Sequence, residues 1–130
     1  MKFMLKSLSA ITLNLLAATA LAAPAYLTTH NNTDLESKAY IAGIVPSPYG
    51  TPAHDTHKIY WTTVRMICHP YKTNEKCTAL VKVGTDTNNP IDIGYVTLDL
   101  ATGDINPKQL SNNGYTITVN GPGEATISKD

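Results

Sequence analysis

Two histidines and a carboxylate occur within four residues of one another at His54, Asp55 and His57. Imidazole nitrogens suit zinc or copper, and His30 or His69 would complete a set of ligands. Histidines three residues apart converge on one metal most readily on a helix or tight turn, whereas the flanking segment is rich in proline. The stretch therefore predicts a solvent-exposed polar loop, with a zinc or copper site at His54, Asp55 and His57 as the alternative.

The only two cysteines, Cys68 and Cys77, have eight residues between them. A single pair in an exported protein is most simply a structural disulfide. A redox-active pair is typically spaced C-x-x-C, and this one is not. Closing so short a loop is expected to contribute about 2.5–3 kcal/mol to stability.

No motif identifies a catalytic site. The chain lacks the G-x-S-x-G pattern of a nucleophilic serine, and its cysteines are committed to each other. We therefore predict that the chain is not an enzyme and needs no cofactor, apart from the zinc or copper alternative. An enzyme of unknown chemistry is the third alternative, because catalytic triads assemble in space rather than in sequence.

Two of the seven tyrosines lie in irregular segments. Tyr49 lies in the proline-rich stretch 46–58, and Tyr71 lies in the turn between the cysteines. Tyrosine is enriched at contact surfaces because its ring is apolar and its hydroxyl is polar. We predict that Tyr49 and Tyr71 form a binding surface for a protein or a glycan, and that Trp61 packs over Leu80.

The N-terminus resembles a secretory signal peptide over residues 1–22. Lys2 and Lys6 give a positive start, an apolar stretch follows, and Ala20-Leu21-Ala22 fits a cleavage site. The apolar stretch is shorter than the roughly 20 residues of a membrane-spanning helix. We predict an exported protein, periplasmic or secreted, that does not insert into a membrane after cleavage.

Residues 23–130 are enough for one domain and too few for two. Without Lys2 and Lys6, eight basic residues stand against ten acidic ones. Nucleic-acid binding depends on clustered lysine and arginine, and this mild acidity argues against it.

The stretch Ile59–Val83 predicts two antiparallel strands pinned by the disulfide. With Cys68 opposite Cys77, Val64 faces Val81 and Met66 faces Ala79, which makes one face of the hairpin apolar. The opposite face of the hairpin carries both polar and apolar residues and would be exposed to solvent.

Further strands are predicted at 25–30, 38–45, 91–100, 104–110, 115–120 and 125–128. A left-handed turn is expected at Gly103, and an Asn-Gly turn at Asn113-Gly114. Short strands at this spacing indicate an all-β fold, a small antiparallel β-sandwich of about seven or eight strands, with a small open β-barrel as the alternative. The opening LTTHNNTDLESKAYIAG resembles an early hairpin of immunoglobulin-like exported domains.

The predicted function is thus an exported binding or interaction module of the cell envelope or extracellular space. The leading alternative is a metal-binding protein that uses His54, Asp55 and His57.

Overall fold

Ten β-strands, one α-helix and one 3₁₀ turn make up residues 22–130, the part of the chain that the computed structural model describes. Apart from Ala22, the predicted signal peptide lies outside these residues. Within them, no helix combines the length and the apolar character needed to cross a bilayer.

The first sheet has the strand order β4-β1-β10-β9-β8. Its strands are β1 Tyr26–Asn32, β4 Asp55–Tyr60, β8 Gln109–Asn112, β9 Tyr115–Gly121 and β10 Glu124–Lys129. β1 and β10 pair in parallel, so the first and last strands of the domain are neighbours. The other pairs in this sheet are antiparallel.

The second sheet has the strand order β3-β2-β5-β6-β7 and is antiparallel throughout. Its strands are β2 Ser37–Ile41, β3 Val45–Pro46, β5 Lys76–Val83, β6 Ile91–Asp99 and β7 Ile105–Asn106. Strand β6 packs against β8, and β7 packs against β9, so the chain crosses between the sheets along one side. Strands β4 and β3 are the edges on the opposite side.

The core lies between the two sheets and contains aliphatic side chains from both. Its fully buried members include Val83 and Ile93 from the second sheet and Ile117 and Ile127 from the first. Inward residues alternate with outward ones along each strand, as a two-layer sandwich requires. The predicted all-β sandwich is confirmed, and the two separate sheets replace the open barrel that was its alternative.

The predicted hairpin over Ile59–Val83 is wrong in its first half. Residues Trp61–Cys68 form an α-helix, α1, and the disulfide joins its end to the start of β5, with Cα atoms 6.0 Å apart. Trp61, Val64 and Cys68 are its buried residues, and their spacing of three and four is the helical period. Pro70 lacks the N–H that would continue the helix.

The strand pairing predicted behind the disulfide fails for the same reason. Val64 is buried on α1, and Met66 is exposed on its other side rather than opposite Ala79. A helix-to-strand disulfide satisfies the same cysteine spacing as a cross-strand one. The disulfide itself is confirmed.

Three further segments differ from the expected boundaries, while two turns are confirmed. The predicted strand 104–110 is divided into β7 in the second sheet and β8 in the first. The predicted strand 38–45 is divided by Ala42 and Gly43, both with positive φ, into β2 and β3. The predicted loop 46–58 is shorter, because β4 begins at Asp55. Gly103 is left-handed, and Asn113-Gly114 has positive φ at both positions, as the hairpin turn requires.

Candidate functional site

The proline-rich segment that carries Tyr49 is an ordered loop between β3 and β4. The N–H of Ser47 donates to the carbonyl of Ala39 at 2.8 Å, and Ser37 and Thr51 exchange two backbone hydrogen bonds of 2.8 and 2.9 Å. These contacts fasten the loop to β2 on both sides of Tyr49. The Tyr49 side chain between them is 69% exposed.

The buried side chain of Asn31, on β1, also holds this loop in place. Asn31 is 0% exposed, and its side-chain nitrogen lies within hydrogen-bond distance of the carbonyls of Leu35, Thr51 and Pro52. Its side-chain oxygen accepts from the N–H and the hydroxyl of Thr33. The loop is therefore positioned by β1 as well as by β2.

Tyr71 lies in a 3₁₀ turn, His69–Tyr71, between α1 and β5, and is 42% exposed. The turn is fixed at one end by the disulfide and at the other by a tight turn at Asn74 and Glu75, both with positive φ. The Lys72 ammonium donates to Glu75 at 2.7 Å and lowers the pKa of that carboxyl.

The structure does not place Tyr49 and Tyr71 in one cluster. Tyr49 stands beside Ser37–Ala39 at the start of β2, whereas Tyr71 precedes the start of β5. In the antiparallel β2–β5 pair, the start of β2 lies beside the end of β5. The two tyrosines are therefore separate exposed anchors on ordered connections.

Sequence reasoning missed other exposed side chains of the same kind. Tyr60 is 64% exposed and its ring centroid lies 5.2 Å from that of Tyr26; Tyr95 is 55% exposed on the outer side of the second sheet. Met66 and Ile44 are also exposed. Period-two alternation along β6 would have pointed to Tyr95, because Val96 and Leu98 occupy inward positions beyond it.

The three predicted metal ligands do not converge. Nε2 of His54 lies 2.6 Å from Oδ1 of Asp34, while His57 and Asp55 are in β4, with 3.9 Å between Nε2 and Oδ2. His69 stands at the end of α1 in another part of the fold. Over residues 22–130, no three His, Cys, Asp or Glu side chains are close enough to hold an ion. Zinc or copper binding stays the alternative hypothesis for this loop.

A chain of three polar side chains crosses the outer side of the first sheet. His30 places Nδ1 2.9 Å from Oγ1 of Thr56 and Nε2 2.5 Å from Oε2 of Glu124. A hydroxyl, an imidazole and a carboxylate in this order are the components of a nucleophile, its base and an orienting group. Sequence alone could not find them, because Glu124 is 94 residues from His30.

The position of these three residues favours a structural role. Leu27, Thr29 and Ile59 face the interior between the sheets, so His30 and Thr56 point away from it. An acyl-transfer site also needs donors aimed at the developing oxyanion. Side-chain hydrogen bonds from His30 instead join three adjacent strands, β4, β1 and β10. That the chain is not an enzyme stays a prediction.

Comparison with known proteins gives two matches. A family model described as "T2SS substrate NttC" matches residues 1–130. The crystal structure of the Legionella pneumophila type II secretion system substrate NttC is 60% identical in sequence, with a TM-score of 0.81; the match covers 83% of this chain and 100% of that chain. No protein with a curated description matches significantly.

Proposed function

The chain belongs to the family of type II secretion system substrates described as NttC, and from this premise we propose that it is a binding module acting outside the cell that produces it. Membership in a family of secretion substrates makes it an exported protein. The binding role is supported by the structure's exposed tyrosines on ordered connections.

The observation that carries the proposal is the exposure of Tyr49 on a fastened loop. Its side chain is 69% exposed, although Ser47 and Thr51 on either side are hydrogen-bonded to β2. A rigid aromatic anchor binds a partner at a low cost in conformational entropy. Tyr71, held between the disulfide and the turn at Asn74-Glu75, is a second anchor of this kind.

The partner that fits these two anchors is a protein or a glycan, since both offer apolar area together with hydrogen-bonding groups for tyrosine hydroxyls. The mild negative charge expected after signal cleavage makes nucleic acid a poor partner. The proposal requires no catalytic residue and no cofactor.

Export and binding are tested separately. Export is measured by comparing the chain in culture medium and periplasm, in cells with and without a working type II secretion system. Retention in the periplasm only when the system is disabled supports secretion to the medium. Equal amounts in the medium of both strains would contradict it.

Binding is tested by immobilising the oxidised protein and measuring capture from cell-envelope extract and spent medium, and on a glycan array. We expect Tyr49→Ala and Tyr71→Ala each to weaken capture about tenfold or more, the usual cost of removing an interface anchor. Tyr95→Ala, another exposed tyrosine, is the matched control. Capture that is unchanged in both variants, with folding intact, would overturn the proposed surface.

A further inference from the structure

An open cleft of about 440 Å³ lies beside the end of α1. This α1 cleft is lined by Arg65, Met66, His69, Lys72 and Leu100. Three of the five residues have basic side chains, although the whole chain has ten basic and ten acidic residues. The volume is within the range of small-molecule sites, about 300–1,000 Å³. Basic side chains are therefore concentrated at a concave site of ligand size.

The helical backbone brings Arg65 and His69 together at the cleft. They are four residues apart, and His69 keeps helical φ and ψ of −50° and −48°, so the two side chains are neighbours one turn apart. Both residues are exposed to solvent. Neither forms an ion pair with a carboxylate within residues 22–130. Their nitrogen donors are thus available to a ligand.

Lys72 faces the cleft from the end of the 3₁₀ turn. Its ammonium donates to Glu75 at 2.7 Å, and because an ammonium has three N–H donors, two remain for a ligand. The hydrogen bond from Lys72 is the main cause of the lowered pKa of Glu75, and the charge of Arg65 contributes to it. Asp99, the other carboxylate nearby, accepts from Lys76 at 2.9 Å. Both carboxylates are therefore already paired with lysines.

Contacts with the core hold the elements of the cleft in place. Nε1 of Trp61 donates to the carbonyl of Leu100 at 3.0 Å at the start of α1, and the disulfide of Cys68 fixes its end. The N–H of Leu100 donates to the carbonyl of Glu75 at 2.8 Å, so Leu100 joins α1 to the turn after Lys72. The cationic groups therefore extend from an ordered backbone, which lowers the entropy cost of binding.

We propose that the α1 cleft binds the phosphate group of a small phosphate monoester. Such a group has about two negative charges at neutral pH and three strong acceptor oxygens. The planar guanidinium of Arg65 matches two of these oxygens, and the ammonium of Lys72 supplies a second positive charge. The imidazole of His69 adds a further N–H donor. A carboxylate or a sulfate ester has only a single negative charge and complements these cations less well.

This inference goes beyond the proposed function. Neither Tyr49 nor Tyr71 lines the α1 cleft, and capture of a protein or a glycan by them requires no phosphate. Arg65→Gln is therefore expected to capture the partner as wild type does. Failure of the phosphate site and failure of the tyrosine surface are thus distinguishable.

The test follows backbone amide chemical shifts of the isotope-labelled, oxidised protein as glucose 6-phosphate is added in a phosphate-free buffer. Saturable shifts centred on residues 65–72 are expected. Glucose is expected to cause none, and glucose 6-sulfate to bind about threefold more weakly, in the range of one exposed ionic contact. Absence of saturable shifts with glucose 6-phosphate would overturn the proposal, as would equal affinity for the sulfate ester.

Substitutions identify the residues that hold the phosphate. Arg65→Gln is expected to weaken binding of glucose 6-phosphate about tenfold or more, because it removes a hydrogen-bonded charge. Lys72→Gln is expected to weaken it about threefold. Lys108→Gln is the matched control, since Lys108 also pairs with a carboxylate, that of Asp104, but lies between β7 and β8. Unchanged affinity in Arg65→Gln, or an equal loss in Lys108→Gln, would overturn the proposal.

Stability is measured on the same variants, because Arg65 lies in the last turn of α1, where a cation interacts favourably with the helix dipole. That structural role changes the thermal midpoint and leaves the affinity for glucose 6-phosphate unchanged. A lower midpoint with wild-type affinity would assign Arg65 to helix stabilisation and overturn its role in binding.

The same phosphate chemistry occurs in a lipid headgroup, and vesicles distinguish the two sources. The protein is sedimented with phosphatidylcholine vesicles that contain or lack phosphatidic acid, a lipid with a phosphate monoester. Binding of glucose 6-phosphate without binding to either kind of vesicle supports a soluble ester. Binding to phosphatidic acid vesicles that Arg65→Gln abolishes, without binding of glucose 6-phosphate, would overturn the assignment to a small ester.

Discussion

The side-chain nitrogen of Asn31 on β1 donates a hydrogen bond of 2.9 Å to the backbone carbonyl of Thr51, in the loop that carries Tyr49. Twenty residues of sequence separate the two, and Asn31 is completely buried. The bond links β1, the strand next to the edge of the first sheet, to a surface loop. It makes the geometry of the proposed binding surface depend on a residue that no partner touches.

Asn31→Asp is predicted to destabilise the fold by about 3 kcal/mol or more. The carboxylate has the same shape but places negative charge against the carbonyls of Leu35 and Thr51, and burying an unpaired charge is costly. Urea unfolding of the two proteins measures the difference. Asn32→Asp, at the exposed neighbour, is the control and should change stability by about 0.5 kcal/mol or less. Equal losses for both would contradict the role of Asn31.

Asn31 also shows how sequence patterns mislead without context. Asn31-Asn32-Thr33 fits the acceptor pattern for N-glycosylation, yet the asparagine side chain is buried and fully hydrogen-bonded. A three-residue pattern carries no information on burial. The contacts that bury Asn31 come from residues 35, 51 and 52, which only the folded chain brings together.

The sandwich could be predicted because strand alternation and turn chemistry are local. β9 and its Asn113-Gly114 turn follow directly from neighbouring residues. Helix α1 was not predicted from the sequence because it is only eight residues long. A helical period is distinct only over a longer stretch of sequence. The parallel pairing of β1 with β10 joins residues about a hundred positions apart, for which no local signal exists.

The same limit applies to candidate sites. Tyr49 and Tyr71 were identifiable because loop composition predicts exposure, whereas the contact of His30 with Glu124 depends on that parallel pairing.

Removal of the disulfide is predicted to cost about 2–3 kcal/mol and to loosen α1 from its C-terminal end. An eight-residue helix is too short to be stable alone, so its two ends must be anchored. At the other end, Nε1 of Trp61 donates to the carbonyl of Leu100 at 3.0 Å, and this contact should persist.

The measurement uses the Cys68→Ala, Cys77→Ala double variant. We expect a lower urea midpoint, faster amide exchange at Arg65 to Cys68, and tryptophan fluorescence like that of wild type in the folded state. A red-shifted tryptophan spectrum in the folded variant would show that the disulfide, rather than the Leu100 contact, holds Trp61.

Acidification is predicted to destabilise the protein through Asp99. Its carboxylate accepts hydrogen bonds from Lys76 at 2.9 Å and from the N–H groups of Ala101 and Thr102, and these contacts lower its pKa. A group with a lowered folded-state pKa stabilises the fold above its unfolded pKa of about 3.9. That contribution is lost as the pH falls through the folded-state value.

Unfolding by urea is therefore measured between about pH 6 and pH 2, where a partly exposed pair is expected to contribute about 1 kcal/mol at most. Asp99→Asn should lower stability near pH 6 and flatten the decline below about pH 4. Asp86→Asn, in an exposed connection, is the control and should leave the profile unchanged. If stability depended on pH in Asp99→Asn as it does in the wild type, the acid sensitivity would not come from Asp99.

Zinc and copper are predicted not to raise the thermal midpoint, in contrast to the metal hypothesis for His54, Asp55 and His57. His54 lies on the loop beside Asp34, whereas Asp55 and His57 belong to β4, so metal binding would have to reorient the start of β4 to bring the three side chains together. A ligand at a hundredfold excess over its dissociation constant stabilises a fold by about 2.7 kcal/mol, a shift of many degrees for a domain of this size. The measurement compares the oxidised protein with chelator, zinc and copper. A rise that disappears in the His54→Ala, His57→Ala double variant would establish the metal site, and Tyr49 would then lie beside it on the same loop.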